Sequence, residues 1–328
     1  MARRSEYTYR PAWWVPGPHG QTLWGKFFRR QPRVPTRTER WTTPDGDFID
    51  IVRLDARPGA PRLFLLHGLE GGTRSHYVGG FFAEAHRRGW GADLLIFRGC
   101  GGEANKARRF YHSGETSDLA FALDRVMREH ASSPFALAGV SLGGNVLLKF
   151  LGEKGAAVDA RIRAAATISV PFDLERGSRF ISRGFARVYD RHFLKSLRRK
   201  ALAKQMHYGD LFDAVALAGA RCLYDFDDVV TAPVHGFVDA RDYYARSSSL
   251  GWISRVRLPT LLLNAVDDPF LPAPVLDEVR GIAAANPCLT VEFPAHGGHV
   301  GFVAGRVPWH PQYYAEWRAG EFLASFMA

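Results

Sequence analysis

The strongest chemical signal in the sequence is a serine flanked by glycines, in the pentapeptide Gly139-Val140-Ser141-Leu142-Gly143. An apolar, strand-like run at residues 135–140 precedes the serine, and a helix-like stretch from Asn145 follows it. A serine that attacks a carbonyl group has to project from a very sharp strand-to-helix turn. Side chains two positions away on either side would collide there, so both positions favour glycine. The pattern predicts that Ser141 is a nucleophile; the alternative is a glycine-rich turn with a surface serine.

A serine hydroxyl is a weak nucleophile, so it needs a base, and the base needs an acid to orient it. After a turn of this kind the acid follows the serine along the chain and the histidine comes last. Two aspartates follow the strand-like run at residues 261–264. The pattern acid-Pro-apolar-x-Pro favours Asp268, and Asp267 is interpreted as a turn-capping residue. His299, after the last strand-like run, is the predicted base, and His296 is interpreted as a surface histidine.

Acyl transfer also requires backbone N–H groups that stabilise the negative charge developing on the carbonyl oxygen. One donor is expected from Leu142, and the second from the loop after the strand that ends at Leu66. That loop, residues 67–72, contains three glycines, and Leu69 is the predicted second donor. Glu70 in the same loop is interpreted as a solvated carboxylate rather than a functional one.

Another group of polar residues could bind a metal ion, through His112, Glu115 and Asp118. Their spacing matches no standard metal site, and the segment ends where a helix is expected to begin. Ser113 or Thr116 as the helix N-cap, followed by acidic residues in the first turn, is the simpler explanation. We therefore predict neither a metal ion nor an organic cofactor.

Strands and helices alternate along the chain, which predicts an α/β fold with a mostly parallel central sheet and helices on both faces. An antiparallel hairpin with its turn at residues 44–47 opens this pattern. The alternation stops at Pro171 and resumes at Thr260, so the intervening helices are interpreted as a cap over the carboxyl edge of the sheet. The expected organisation is an irregular, aromatic N-terminal arm at 1–36, a core at 37–170 and 251–328 that ends in a helix at 312–327, and a helical cap insertion at 171–250.

Basic residues concentrate in two regions of a chain whose net charge is +10. Residues 1–40 hold nine Lys/Arg against two acids, and residues 176–204 hold ten against one. No nucleic-acid-binding motif accompanies them, so we predict no nucleic acid partner. Seven cations in the second region recur at steps of three and four: Arg176, Arg179, Arg183, Arg187, Arg191, Lys195 and Arg198. On one helix they would form a basic stripe, either a solvated face or a surface for peripheral contact with an anionic membrane.

The cysteine count and the N-terminal sequence bear on the cellular compartment. Cys100, Cys222 and Cys288 are odd in number and far apart, which argues against a disulfide framework. The first residues lack the apolar segment of a secretory signal, and no apolar run reaches the ~18–20 residues of a spanning helix. These features predict a folded cytoplasmic protein.

Eight segments carry a resemblance that extends over almost the whole chain: residues 13–22, 67–72, 75–77, 97–103, 111–116, 139–145, 264–270 and 297–302. Together they resemble the YheT-like branch of the α/β-hydrolases. The resemblance implies an α/β-hydrolase fold, a triad of Ser141, Asp268 and His299, and hydrolysis of short-chain or lipid-like carboxylic esters. The resemblance names no particular substrate, and residues 171–250 match the family pattern least clearly. Acyl transfer or thioester cleavage on the same triad, and a non-catalytic binding protein of this fold, are the alternatives.

Overall fold

The computed structural model describes residues 8–327, so the first seven residues of the predicted arm and Ala328 lie outside the described residues. The strands in this part are β1 (Arg37–Thr42), β2 (Phe48–Leu54), β3 (Arg62–Leu66), β4 (Gly91–Ile96), β5 (Phe135–Val140), β6 (Ile162–Ile168), β7 (Thr260–Leu263), β8 (Leu289–Glu292), β9 (Val303–Ala304) and β10 (Gln312–Tyr313). The first eight form one sheet in the order β1-β2-β4-β3-β5-β6-β7-β8, and β9 pairs with β10.

The sheet is parallel from β4 to β8, whereas β2 pairs antiparallel with both β1 and β4. This confirms the predicted hairpin and the mostly parallel sheet. Strands β3, β4 and β5 are buried along their whole length, as expected for strands covered on both faces. Because the carboxyl ends of parallel strands meet at one edge, the residues that follow β3, β5, β7 and β8 are brought to the same side of the sheet.

Helices cover both faces of the sheet. The α-helices of the described residues are α1 (Gly17–Phe28), α2 (Val78–Arg87), α3 (Ser117–Glu129), α4 (Leu142–Lys154), α5 (Leu174–Ile181), α6 (Arg187–Tyr208), α7 (Ala214–Gly219), α8 (Leu223–Phe226), α9 (Ala232–His235), α10 (Ala240–Ser247), α11 (Ala273–Ala284) and α12 (Tyr314–Ala324). Apolar side chains of α3, α4 and α11 pack on one face, and those of α2 and α12 pack on the other, which confirms the α/β fold class. Within residues 8–327, none of the helices combines the length and apolar character needed to span a bilayer.

The two chain ends differ from the sequence prediction. The N-terminal arm is not irregular throughout, because α1 forms with Pro18 in its first turn, where the missing N–H would be unpaired in any case. The expected aromatic packing is present, since the rings of Trp14 and Trp24 lie 4.7 Å apart. The final helix is shorter than the predicted 312–327, because residues 312 and 313 pair with β9 and the helix begins at Tyr314.

The helices between β6 and β7, α5 to α10, lie within the predicted insertion, and their division from the core at 171 and 250 stays a prediction. The prediction of one basic stripe is wrong, because its cations lie on two helices, with Arg183 in the turn between them. Helix α5 ends at Ile181, α6 begins at Arg187, and Gly184 between them has a φ of 51°, a backbone conformation that favours glycine. Arg176 and Arg179 are also ion-paired, with carboxylates that include Asp173, Glu278 and Glu175.

A buried ion network lies just beyond the carboxyl end of β4. The Arg98 side chain is 0% exposed and contacts Asp45 at 2.9 Å, Asp47 at 2.7 Å and Asp118 at 2.7 Å. Burial alone would raise the pKa of Asp47, but hydrogen bonds from Asn105 and from backbone N–H groups lower it to about 2. The network therefore stabilises the folded chain through ionised carboxylates.

We expect the free energy of unfolding to fall as the pH is lowered from about 4 towards 2. The folded-state pKa of Asp47 lies below its ordinary value, so its contribution is fully present above about pH 4. That contribution is lost as the pH falls through the folded-state pKa. Urea unfolding at a series of pH values measures this, and Asp47→Asn should reduce the slope. An identical slope in the wild type and the variant would contradict the assignment.

Candidate active site

Ser141 occupies the sharp turn that its flanking glycines predict. Strand β5 ends at Val140 and α4 begins at Leu142, and between them Ser141 has a φ of 54° and a ψ of −122°. A Cβ atom on Gly139 would lie 2.5 Å from the Gly143 carbonyl oxygen, and one on Gly143 would lie 2.5 Å from the His67 carbonyl oxygen. Any side chain at either position would therefore force the turn apart.

The three residues predicted as a triad lie within hydrogen-bonding distance of one another. The Ser141 Oγ lies 2.9 Å from the His299 Nε2, and the His299 Nδ1 lies 2.8 Å from the Asp268 Oδ2. Asp268 and His299 are almost fully buried, and the Phe270 ring stacks on the imidazole with 3.9 Å between ring centroids. This arrangement has the geometry in which an imidazole can accept the serine proton while a carboxylate holds its other nitrogen.

The two competing candidates form a separate pair. The Asp267 Oδ1 accepts a hydrogen bond from the Gly298 N–H at 2.9 Å, and its Oδ2 lies 3.2 Å from the His296 Nδ1. The side chain of His296 is 66% exposed. Asp267 thus holds the backbone of the loop next to His299, and Asp268 is the carboxylate that contacts the His299 imidazole.

The loop at residues 67–72 lies directly beside the serine. A Cβ atom on Gly68 would be 3.1 Å from the Ser141 Cβ, and the Gly68 N–H donates to the Tyr77 hydroxyl at 2.8 Å. Among the residues that the structure describes, the amides of Leu69 and Leu142 donate to no acceptor. Both amides are therefore available as hydrogen-bond donors for an oxyanion.

His67 holds the start of this loop as a neutral imidazole. Burial lowers its pKa to about 4. The Nδ1 lies 2.7 Å from the Gly68 carbonyl oxygen, and the Nε2 lies 3.1 Å from the Phe97 amide nitrogen. A neutral ring that donates through Nδ1 and accepts through Nε2 satisfies both contacts and links the ends of β3 and β4.

Glu70 is not the solvated carboxylate that the sequence suggested, because its side chain is only 8% exposed. Its carboxylate accepts hydrogen bonds from the Lys200 Nζ at 2.8 Å and the Ser196 Oγ at 2.5 Å, both on α6. Its backbone N–H donates to the Tyr111 hydroxyl at 2.8 Å. Sequence reasoning missed Lys200, Ser196 and Tyr111, because only the folded chain brings them to this loop.

The side chains considered for a metal site have other partners. Burial lowers the pKa of His112 to about 3, and its Nδ1 accepts from the Gly114 N–H at 3.1 Å. Asp118 belongs to the Arg98 network. Of the two expected caps, Thr116 rather than Ser113 stands at the N-cap of α3, but its side chain makes no capping hydrogen bond there. The acceptor is instead Glu115, whose Oε1 lies 2.6 Å from the Ser117 amide nitrogen. The longer side chain of Glu115, two residues before the helix, reaches the free N–H groups of the first turn.

A cavity of about 950 Å³ opens onto Ser141 and His299. Its far walls come from helices between β6 and β7, whose apolar lining side chains include Leu174, Ile181, Phe193, Leu197, Phe226 and Val230. The volume lies at the upper end of the range of small-molecule sites, and the mainly apolar lining suits a hydrocarbon group.

A sequence profile described as the α/β hydrolase fold matches residues 61–305. The YheT protein of Escherichia coli K12, named as a candidate esterase, is 38% identical over 94% of this chain and 91% of its own length. The phospholipase ABHD3 of Mus musculus is 30% identical over 92% of this chain and 74% of its own. A solved structure, the esterase Pf2001 of Pyrococcus furiosus, shares the fold with a TM-score of 0.58 at 16% identity, over 92% of this chain and 98% of its own.

These similarities confirm the YheT-like resemblance that the sequence segments carried and the fold class that it implied. The profile covers most of the sheet, and the first relative covers nearly the entire chain. The chain therefore belongs to the α/β hydrolase fold family, as an esterase- or lipase-like member.

Proposed function

We propose that this protein is a serine carboxylesterase that hydrolyses short-chain or lipid-like carboxylic esters. The observation that carries the proposal is the Ser141–His299–Asp268 hydrogen-bonded chain at the mouth of an apolar cavity. The names of the relatives, an esterase and a phospholipase, support an ester as substrate. The apolar lining supports an acyl group that is buried in the cavity while the carbonyl faces Ser141.

In the first half of the reaction, the Ser141 Oγ attacks the ester carbonyl carbon while the His299 Nε2 accepts the hydroxyl proton. Asp268 holds the Nδ1–H of the imidazole and stabilises the imidazolium. The amides of Leu69 and Leu142 donate to the oxyanion of the tetrahedral intermediate. The intermediate then collapses, the alcohol leaves with the proton from His299, and the acyl group stays on Ser141.

In the second half, a water molecule takes the place of the alcohol. His299 accepts a proton from the water, whose oxygen attacks the acyl carbonyl, and the same amides stabilise the second oxyanion. Collapse returns the proton to the Ser141 Oγ and releases the carboxylic acid. Each step uses groups of this chain, the ester and water.

Replacement of the nucleophile gives the most direct test. Wild-type protein should hydrolyse p-nitrophenyl esters and react covalently with a fluorophosphonate probe. Ser141→Ala should lose both, with kcat lowered by on the order of 10³-fold or more, because the bond-forming oxygen is gone. Ser132→Ala, which replaces an exposed serine in the loop before β5, serves as the control and should keep wild-type activity. A wild-type protein that neither reacts nor hydrolyses any ester would contradict the proposal and favour a binding protein.

The two adjacent aspartates should differ sharply in their effect on hydrolysis. Asp268→Asn should lower kcat by on the order of 10³–10⁴-fold, because an amide favours the wrong tautomer of His299. Asp267→Asn should stay within about fivefold of wild type, since an amide oxygen can still accept from the Gly298 N–H. The kcat values of the two variants check this. Equal effects, or a larger loss at position 267, would show that the acid is assigned wrongly.

We also propose that the protein is cytoplasmic. We propose further that helix α6 alone, rather than the whole predicted basic stripe, contacts an anionic membrane surface. Exposed cations on α6 include Arg187, Arg191 and Lys195. Exposed apolar side chains accompany them, among them Val188 at 55% and Met206 at 89%. Cations that attract anionic headgroups, combined with apolar groups that insert between them, are typical of helices that lie on membranes.

Vesicle sedimentation tests this contact. Binding to vesicles with 30% phosphatidylglycerol should exceed binding to pure phosphatidylcholine and should weaken with salt. Arg191→Glu should weaken it by about tenfold or more, at about 1 kcal/mol for each basic charge near the surface. Arg128→Glu makes the same charge change on an exposed position of α3 and should leave binding within about twofold. Equal effects of the two variants, or binding that ignores lipid charge, would exclude α6 as the contact.

A further inference from the structure

Residues 16–22 include the start of α1. They perform no step of the proposed reaction, yet they pack against the loop that carries His299. The Thr22 Oγ1 accepts a hydrogen bond from the His299 backbone N–H at 2.9 Å and donates to the Pro18 carbonyl oxygen at 2.7 Å. The Gln21 amide contacts Val303, where its Oε1 accepts from the backbone N–H at 2.7 Å and its Nε2 donates to the carbonyl oxygen at 3.2 Å.

The loop that carries His299 has a strained backbone. Val300 has a φ of 59° and Phe302 a φ of 43°, in the left-handed region that side chains with a Cβ atom disfavour. Such conformations persist when surrounding structure holds them. The Val300 N–H donates to the Ser169 hydroxyl at 2.9 Å, and the Tyr314 N–H donates to the Phe302 carbonyl oxygen at 3.0 Å. Asp267 holds the Gly298 N–H, and further support comes from α1.

The contact between α1 and this loop is made backbone to backbone. A Cβ atom on Gly298 would lie 2.4 Å from the Pro18 carbonyl oxygen, and one on Gly301 would lie 2.4 Å from the Gln21 carbonyl oxygen. Glycine on both sides of His299 lets α1 approach closely enough for Thr22 to reach the His299 amide. The segment therefore contacts the backbone of the loop at Gly298, His299 and Gly301.

We propose that Gln21 and Thr22 are positioning residues for His299, an inference that rests on the proposed function. Gln21 is 1% exposed and fixes the end of the loop at Val303. Thr22 fixes the histidine itself, because its hydroxyl bonds the same residue whose imidazole contacts Ser141. Helix α1 thus sets the distance between the base and the nucleophile without touching the substrate.

Thr22→Val keeps the shape of the side chain and removes the acceptor for the His299 N–H. We expect kcat for p-nitrophenyl esters to fall by about 10- to 100-fold, the scale of a small misplacement of a catalytic group. KM should stay within about twofold. The rate of fluorophosphonate labelling should fall in parallel, because that reaction also needs His299 as base. Thr22→Ser restores the hydroxyl and should return kcat to within about threefold of wild type, which a purely structural role would not require.

Thr42→Val is the matched control, since Thr42 lies exposed at the end of β1 and should keep wild-type kinetics. Thermal unfolding checks that each variant is folded, and Thr22→Ala replaces Thr22→Val if the latter fails to fold. If a folded Thr22→Val or Thr22→Ala variant keeps the wild-type kcat while Ser141→Ala is inactive, the inference is overturned. An unreactive wild type would instead overturn the proposed function, so the two failures are distinguishable.

Discussion

The left-handed backbone at Ser141 is the constraint on which the rest of the site depends. A residue with a Cβ atom in this conformation costs on the order of 1–3 kcal/mol, so the surroundings have to hold it. The Ser141 N–H donates to the Ile168 carbonyl oxygen at 2.8 Å, and its carbonyl oxygen accepts from the Gly144 and Asn145 N–H groups. The turn is thus fixed by β6 on one side and by the first turn of α4 on the other. In this position the Oγ lies 2.9 Å from the His299 Nε2.

Backbone strain in the described residues concentrates around that turn. Non-glycine residues with a positive φ in the range 8–327 are Glu70, Ser141, Ser169, Val300 and Phe302, and all of them follow the sheet strands that converge on the site. Each is held by contacts from outside its own segment, such as Tyr111 and α6 at Glu70 and α1 at the loop of His299. The stability of the core therefore maintains the local conformations that bring donors, base and nucleophile together, as is common where binding geometry is strained.

Much of the sheet and the convergence of Ser141, Asp268 and His299 followed from patterns that are local in sequence. Apolar runs in the sequence predict buried strands, and the turn at the nucleophile needs glycines at fixed positions. The choice of Asp268 over Asp267 also followed from its neighbours. The failures had two causes. Glu70 is buried by partners about 130 positions away, which no local pattern shows. The break between α5 and α6 lies at Gly184, a local feature that the periodicity of the cations does not reveal. Helix α1 was missed because its sequence contains three glycines and a proline, residues that are typical of turns and loops.

Helix α6 connects these observations, because it contacts both halves of the site. Lys200 and Ser196 bond the Glu70 carboxylate beside the candidate oxyanion donors. One end of the same helix meets α1, where the Tyr189 hydroxyl lies 3.2 Å from the His19 Nδ1, and α1 in turn bonds the loop of His299. Helix α6 therefore lines the cavity and also bonds the loop that carries the candidate oxyanion donors and the helix that supports the loop of His299.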